Sequence, residues 1–369
     1  MTKKIKVLVV DDSAVMREML SEILRSDSAI EVVGTAPDAY VAREKIKALN
    51  PDVLTLDVEM PRMDGLAFLS NLMRLRPMPV VMCASLTQRG AHLILNALDL
   101  GAVDFVAKPT ADVTHGLRDA AQEIISKVKM AANAQIRRPT DVRLMKIEDC
   151  HSADVVLPRR DVPTRYASSD QIIAIGASTG GTDAIKEVLL RLPSDLPGIV
   201  IVQHIPKAFS GPFAARMNSI CNLTVCEAGD GQRILPGHVY IAPGDQHVLV
   251  VRAGNQYLCR LSDAVPVNRH RPSVDVLFRS VAQTAGRHSV GVMLTGMGRD
   301  GATGMKEMRE AGAATMAQDQ ATSVVWGMPG AAWEIGAAQS LHPLPQIASR
   351  IVTLARADSG LAQRSSKST

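Results

Sequence analysis

Over residues 5 to about 130, short β-branched apolar runs alternate with stretches whose apolar residues recur every three or four positions. The runs are IKVLVV, EVVGTA, DVLTLD, PVVMCAS and AVDFVA; between them AVMREMLSEILRS and GLAFLSNLMRL carry the helical spacing. Five such units predict a parallel sheet with helices on both faces.

The pattern lapses from about residue 133 to 170, where RRPT, LPRRDVP and YASSD are rich in Pro, Ser and charge. This segment is predicted to be a flexible linker. Alternation resumes at 171 and runs to about 357. GIVIVQH, HVYIAPG, HVLVVR, QYLCRL and SVGVMLTG are predicted strands, and TDAIKEVLLRL, SVDVLFRSVAQTA, ATGMKEMREAG and PQIASRIVTLAR predicted helices. The closely spaced strands of HVYIAPGDQHVLVVRAGNQYLCRL imply a β-hairpin added to an otherwise parallel sheet. The expected architecture is α/β, with two doubly wound parallel-sheet domains at 1–132 and 171–357. Residues 133–170 are the linker and 358–369 a disordered tail.

Composition narrows the function. Of the net charge of +4, +3 falls within residues 131–170 and 356–369, so no basic stripe remains in the folded parts to track a nucleic acid. Eleven aromatics are too few for a base-stacking surface. The cysteines, Cys83, Cys150, Cys221, Cys226 and Cys259, include no Cys-x-x-Cys pair and read as free thiols in a reducing cytosol. The apolar run after MTKKIK is too short for a signal peptide or a membrane span. A soluble, cytoplasmic protein with no membrane insertion is expected.

Asp11 and Asp12 follow the first predicted strand, Asp57 ends the third and Lys108 follows the fifth. The carboxyl ends of strands in an open parallel sheet form a ligand crevice. Clustered carboxylates there suit a hard cation such as Mg²⁺, and the lysine suits a phosphoryl group. Taken singly, the acids read equally as helix caps or turn residues.

In the second half, Gly176-Ala-Ser178-Thr-Gly180 has the G-x-S-x-G form of a nucleophile elbow between a strand and a helix. It lacks the spacing of a dinucleotide fingerprint and the Lys of a P-loop. His204 ends the next strand, about 5 Å away across the sheet, and an imidazole there can take the serine proton. Asp300 follows the glycine-rich turn of MLTGMGRDGATGMKEM. It reads as the carboxylate that orients the imidazole or as a helix cap.

The VVDD, LDVEMPRMDG and KP segments resemble the flavodoxin-like receiver domain of two-component response regulators. GASTGGT, VQHIP, YIAPG, TGMGRDGA and VVWGMPGAA, in this order behind a receiver, resemble the chemotaxis protein-glutamate methylesterases of the CheB family. The resemblance implies phosphorylation at Asp57, with Mg²⁺ held by Asp11, Asp12, Asp57 and the Glu59 carbonyl. Lys108 would pair with the phosphate, and Phe105 would be the switch aromatic. The serine or threonine usual after the fourth receiver strand is Ala84 here. Ser85, next along the chain, is expected on the opposite face, leaving Thr87 or backbone groups to stand in for the missing hydroxyl. For the second domain the resemblance implies Ser178 as nucleophile, His204 as base, Asp300 as orienting carboxylate and the Met297 N–H as oxyanion donor. No cofactor is expected there. The implied substrates are glutamate methyl esters and glutamines of methyl-accepting chemotaxis receptors, and the implied phosphodonor is the chemotaxis histidine kinase. A monomer is expected, with the unphosphorylated receiver covering the catalytic cleft.

Overall fold

A computed structural model describes residues 3–60, 63–85, 87–108, 116–134, 152–158 and 171–365. The chain divides into compact units at Met1–Val142 and Arg143–Thr369.

The first unit is a five-stranded parallel sheet of β1 (Ile5–Val10), β2 (Ile30–Ala36), β3 (Val53–Asp57), β4 (Val80–Ala84) and β5 (Asp104–Ala107), in the order β2-β1-β3-β4-β5. Helices α1 (Ala14–Arg25), α2 (Ala39–Leu49), α3 (Gly65–Leu75), α4 (Gln88–Asp99) and α5 (Gly116–Asn133) connect and follow the strands. The local chemistry sets the joints. Ser13, not an aspartate, caps α1 by accepting from the Met16 N–H, and α1 turns Leu20, Ile23 and Leu24 inward. Asp11 and Asp12 are therefore left outside the helix, at the end of β1. Thr87 caps α4, its hydroxyl accepting from the Gly90 N–H at 3.0 Å.

The second unit holds a seven-stranded parallel sheet. Its strands are β6 (Ile172–Ala177), β7 (Gly198–Gln203), β8 (Thr224–Glu227), β9 (His238–Ile241), β12 (Ser289–Met293), β13 (Ala314–Gln318) and β14 (Ser340–His342), ordered β14-β13-β12-β6-β7-β9-β8. The hairpin β10 (His247–Ala253) and β11 (Gln256–Ser262) pairs antiparallel and forms a sheet of its own. The helices are α6 (Gly181–Leu190), α7 (Lys207–Ile220), α8 (Val274–Thr284), α9 (Ala302–Glu310), α10 (Met328–Glu334) and α11 (Leu344–Ser365). The chain leaves central β6 for β7 on one side and returns to β12 on the other. The carboxyl end of β6 is therefore the topological switch point, where such sheets open a crevice.

Several elements lie outside the predicted pattern. α7 contains Pro212 and Gly211, β13 reads ATMAQ with one β-branched residue, and β14 has three residues. None carries enough periodicity or β-branched character to announce itself. α11 continues to Ser365, eight residues past the expected boundary at 357.

The linker prediction is corrected in one stretch. Residues 152–158 form a 3-10 turn, Ala153–Val155, packed on α8 and on the hairpin. Arg279, almost fully buried, donates to Asp154 at 2.7 Å and to the Leu157 carbonyl at 3.0 Å, while its other nitrogens hold Glu307 in a two-point bridge at 2.9 and 2.7 Å. Val156 and Leu157 cover Leu249, Val267 and Val276. A run of Pro and charge concealed a strap held by one buried guanidinium. Asn133 still belongs to α5, and linker positions 135–151 and 159–170 lie outside the described residues.

Candidate active site

In the first unit the ends of β1, β3 and β5 bring Asp11, Asp57 and Lys108 together. The Lys108 ammonium lies 3.0 Å from Asp11 Oδ2 and 2.8 Å from Asp57 Oδ2. Both carboxylates are buried, whereas Asp12 is exposed. Burial, with Asp11 alongside, pushes the Asp57 carboxyl up to about 6 against the opposing pull of Lys108. Ligand atoms of Asp11, Asp12 and Asp57 lie within 4.8 Å of one another. This all-oxygen donor set fits a hard divalent ion. The Glu59 N–H donates to Asp57 Oδ1 at 3.3 Å, beside a small pocket lined by Asp57, Val58, Glu59, Ala84, Ser85, Gly90 and Lys108. Ser85 lines this pocket beside Ala84. β4 ends at Ala84, so strand alternation no longer governs the next residue. Phe105 is buried on β5 beneath the Lys127 ammonium, 4.8 Å from the ring centre.

In the second unit β6, β7 and β12 deliver the other predicted residues to one sheet edge. Ala177 and Gln203 pair at the ends of β6 and β7, and the His204 N–H donates to the Ala177 carbonyl at 3.2 Å. Ser178 and His204 are therefore neighbours across the sheet. The turn after β6 is tight: the Ser178 carbonyl accepts from the Gly181 N–H at 2.8 Å and from the Gln203 amide at 2.8 Å. The left-handed residue of this turn is Gly180, at φ 71°, and not the serine. A side chain at Gly180 would strike Val324, which explains the glycine twice over.

His204 Nε2 and Asp300 Oδ2 are 2.9 Å apart. That bond places the ring proton on Nε2 and leaves Nδ1 as the acceptor; Nδ1 is buried without a hydrogen-bond partner. The Ser178 hydroxyl makes no hydrogen bond to it here, a separation that catalytic pairs commonly close when substrate binds. Asp300 does not cap α9, whose cap is Gly301. Instead its buried carboxylate also accepts from the backbone N–H groups of Val274 at 2.7 Å and Asp275 at 3.3 Å. The Ser273 hydroxyl at 2.7 Å and the Asn268 amide at 2.8 Å complete the set. Burial alone would raise this carboxyl's pKa. The His204 bond, the neighbouring imidazoles and Asn268 outweigh it and hold Asp300 well below the usual carboxylate range. Neighbouring Asp275 is shifted the opposite way, raised by burial and by the Asp300 charge.

The backbone beside Ser178 is equally constrained. Gly296 lies against it, since a Cβ there would sit 2.9 Å from the serine Cβ. The Gly296 carbonyl accepts from Gly327 at 3.1 Å and Met328 at 2.8 Å, which pins the turn carrying Met297. Among the described residues no acceptor engages the Met297 N–H.

Residues not foreseen complete the site: Gln203, Thr295, Asn268, Ser273 and His270. The last stacks on His204 with ring centres 3.8 Å apart and planes 7° from parallel. His204, His270 and Asp300 offer three ligand atoms within 4.8 Å of one another. Parallel stacked rings share no in-plane point at which one ion could meet both lone pairs, so the donor set does not fit a metal. The polar run VNRHRPSVD before α8 was the available signal, but nothing in its spacing ties it to a histidine sixty-six residues earlier.

An acidic pocket closed by a lysine stands at one sheet's edge and a serine, a histidine and an aspartate stand at another's, in a chain whose two domains are those of a response regulator joined to an enzyme. The receiver-domain profile of response regulators matches residues 7–121, and that of the CheB methylesterases matches residues 173–351. The chain belongs to the CheB methylesterase family. It is 56% identical over 350 residues to protein-glutamate methylesterase/protein-glutamine glutaminase 1 of Geobacter metallireducens, covering 95% of this chain and 96% of that one. It is 54% identical to the corresponding protein of Hydrogenovibrio crunogenus, over 95% of this chain and 99% of that one. Among solved structures, the CheB methylesterase catalytic domain of Thermotoga maritima is 36% identical over 50% of this chain and 98% of that domain, with a TM-score of 0.49.

Proposed function

We propose that the second unit removes methyl groups from glutamate esters, and ammonia from glutamines, on the cytoplasmic helices of chemotaxis receptors, under control of phosphorylation at Asp57. The observation that carries the reading is the His204 imidazole fixed at one nitrogen by buried Asp300, with its other nitrogen vacant at the edge where Ser178 stands.

Ser178 Oγ attacks the ester carbonyl while its proton passes to His204 Nδ1. Asp300, held anionic by its five donors, stabilises the imidazolium and keeps the Nε2 tautomer. The Met297 N–H donates to the developing oxyanion. His204 then protonates the departing methoxide, and methanol leaves an acyl-serine that water, deprotonated by His204, hydrolyses to glutamate. With a glutamine side chain the leaving group is ammonia.

In the first unit Asp57 accepts a phosphoryl group from the chemotaxis histidine kinase, and Lys108 transfers its ion pair to the phosphate. Asp11, Asp12 and Asp57, with the Glu59 carbonyl, would hold Mg²⁺, whose chemistry there is neutralisation of phosphoryl charge. Phe105 is the aromatic whose position reports the change. No helix among the described residues is long and apolar enough to cross a membrane.

The test is methanol release from methylated receptor. Ser178→Ala is expected to lower turnover by about 10⁴–10⁶-fold while Asp57 still accepts phosphate from a small donor. Near-normal methanol release by that variant would remove the serine from the mechanism.

A further inference from the structure

We infer that His270 is a positioning residue for the hydrolytic reaction: its imidazole forms a flat wall that sets the plane of the His204 ring. The inference rests on the reading of Ser178, His204 and Asp300 as a triad and adds a fourth side chain to it.

A single hydrogen bond under-determines an imidazole. The contact with Asp300 fixes one nitrogen at 2.9 Å but leaves the ring free to tip about that bond. Tipping swings Nδ1, the atom that must meet the serine proton. The His270 ring, parallel within 7° at 3.8 Å, blocks that tilt from one face. The two imidazoles stack in parallel at van der Waals distance.

The mounting of His270 supports the assignment. Val267 and His270 exchange both backbone hydrogen bonds, at 3.0 and 2.8 Å, around Asn268 and Arg269. Those two residues have φ of 50° and 66°, the left-handed pair of a type I′ turn. Neither is a glycine, so the turn is held in place at some conformational cost. From the same turn the Asn268 amide donates to Asp300 at 2.8 Å and to Asp275 at 2.7 Å. One turn of four residues therefore braces both the carboxylate and the imidazole. Next to it buried His247, its pKa lowered by burial, accepts the Ser273 N–H at 3.1 Å and fixes the segment from which the Ser273 hydroxyl reaches Asp300.

The full-length protein carrying His270→Ala, and separately His270→Phe, tests this by steady-state methanol release. The alanine variant is expected to lose about 10–100-fold in kcat, the scale of a sub-ångström misplacement of a reacting group, with KM within about twofold of wild type. Phenylalanine restores the flat face without a titratable nitrogen and is expected to recover at least half of the logarithmic loss. An unchanged kcat in His270→Ala overturns the inference, as does an equal loss in both variants, which would assign His270 a chemical or merely structural part. A wild-type His270→Ala beside an inactive Ser178→Ala would sink this inference alone; an active Ser178→Ala would sink the triad reading itself.

Discussion

Burying Asp57 beside Asp11 disfavours its charged form, and Lys108 offsets that only in part. A carboxyl raised from its ordinary value to about 6 is a stability statement. Below the unfolded pKa near 4 both states are protonated and nothing is lost. Between there and 6 the folded state gives up stability, and above 6 the loss is complete. Asp57→Asn is therefore expected to stabilise the receiver unit by roughly 2 kcal/mol at pH 7.5 in metal-free buffer, with the gain fading as pH falls towards 4. Thermal melts at the two pH values check this; an equal gain at both would mean that charge at Asp57 is not the strained term. Asp300 illustrates the opposite balance, since its donors outweigh burial and keep it anionic for its partner imidazole.

At the scale of elements, the strap of residues 152–158 and helix α8 meet through Arg279. Its two-point bridge to Glu307 is buried, whereas the Asp154 side chain is 59% exposed. Breaking the buried pair leaves Glu307 charged without its partner, so Arg279→Ala is expected to cost about 3–5 kcal/mol. Asp154→Ala removes only a largely solvated partner and is expected to cost less than about 1 kcal/mol. Denaturant unfolding of the two variants separates the cases, and equal losses would contradict the assignment of Glu307 as the dominant partner. Strand and helix periodicity made the sheets of both units legible, because β1, β3, β6 and β7 are short, largely apolar runs. It failed where an element is held by tertiary contacts: α7 bends its pattern around Pro212, and the strap has no period at all.

For the molecule as a whole, the strap moves the start of the hydrolase unit. A chain beginning at residue 152 keeps the Asp154 and Leu157 contacts of Arg279 and the apolar cover of Leu249, Val267 and Val276, and one beginning at 171 loses them. Val267 opens the turn that carries Asn268 and His270, so the cover lies directly behind the site. The shorter chain is expected to melt roughly 5 °C lower, in line with a loss of about 2 kcal/mol in a unit of this size. Calorimetry of the two chains decides it; identical melting temperatures would show that the strap adds no stability.

The order of residues alone determined the α/β alternation, the carboxylates and lysine at the strand ends of the first sheet, and the G-x-S-x-G turn with a histidine one strand away. These were readable because each rests on local spacing and on the rule that parallel strands end together. The tertiary structure decided what spacing cannot encode. It chose orientation over capping for Asp300, by making Gly301 the cap and turning five donors onto the carboxylate. It put Ser85 in the pocket wall once β4 had ended. It also laid His270 flat on His204, because a left-handed turn far along the chain happens to fold over that strand end.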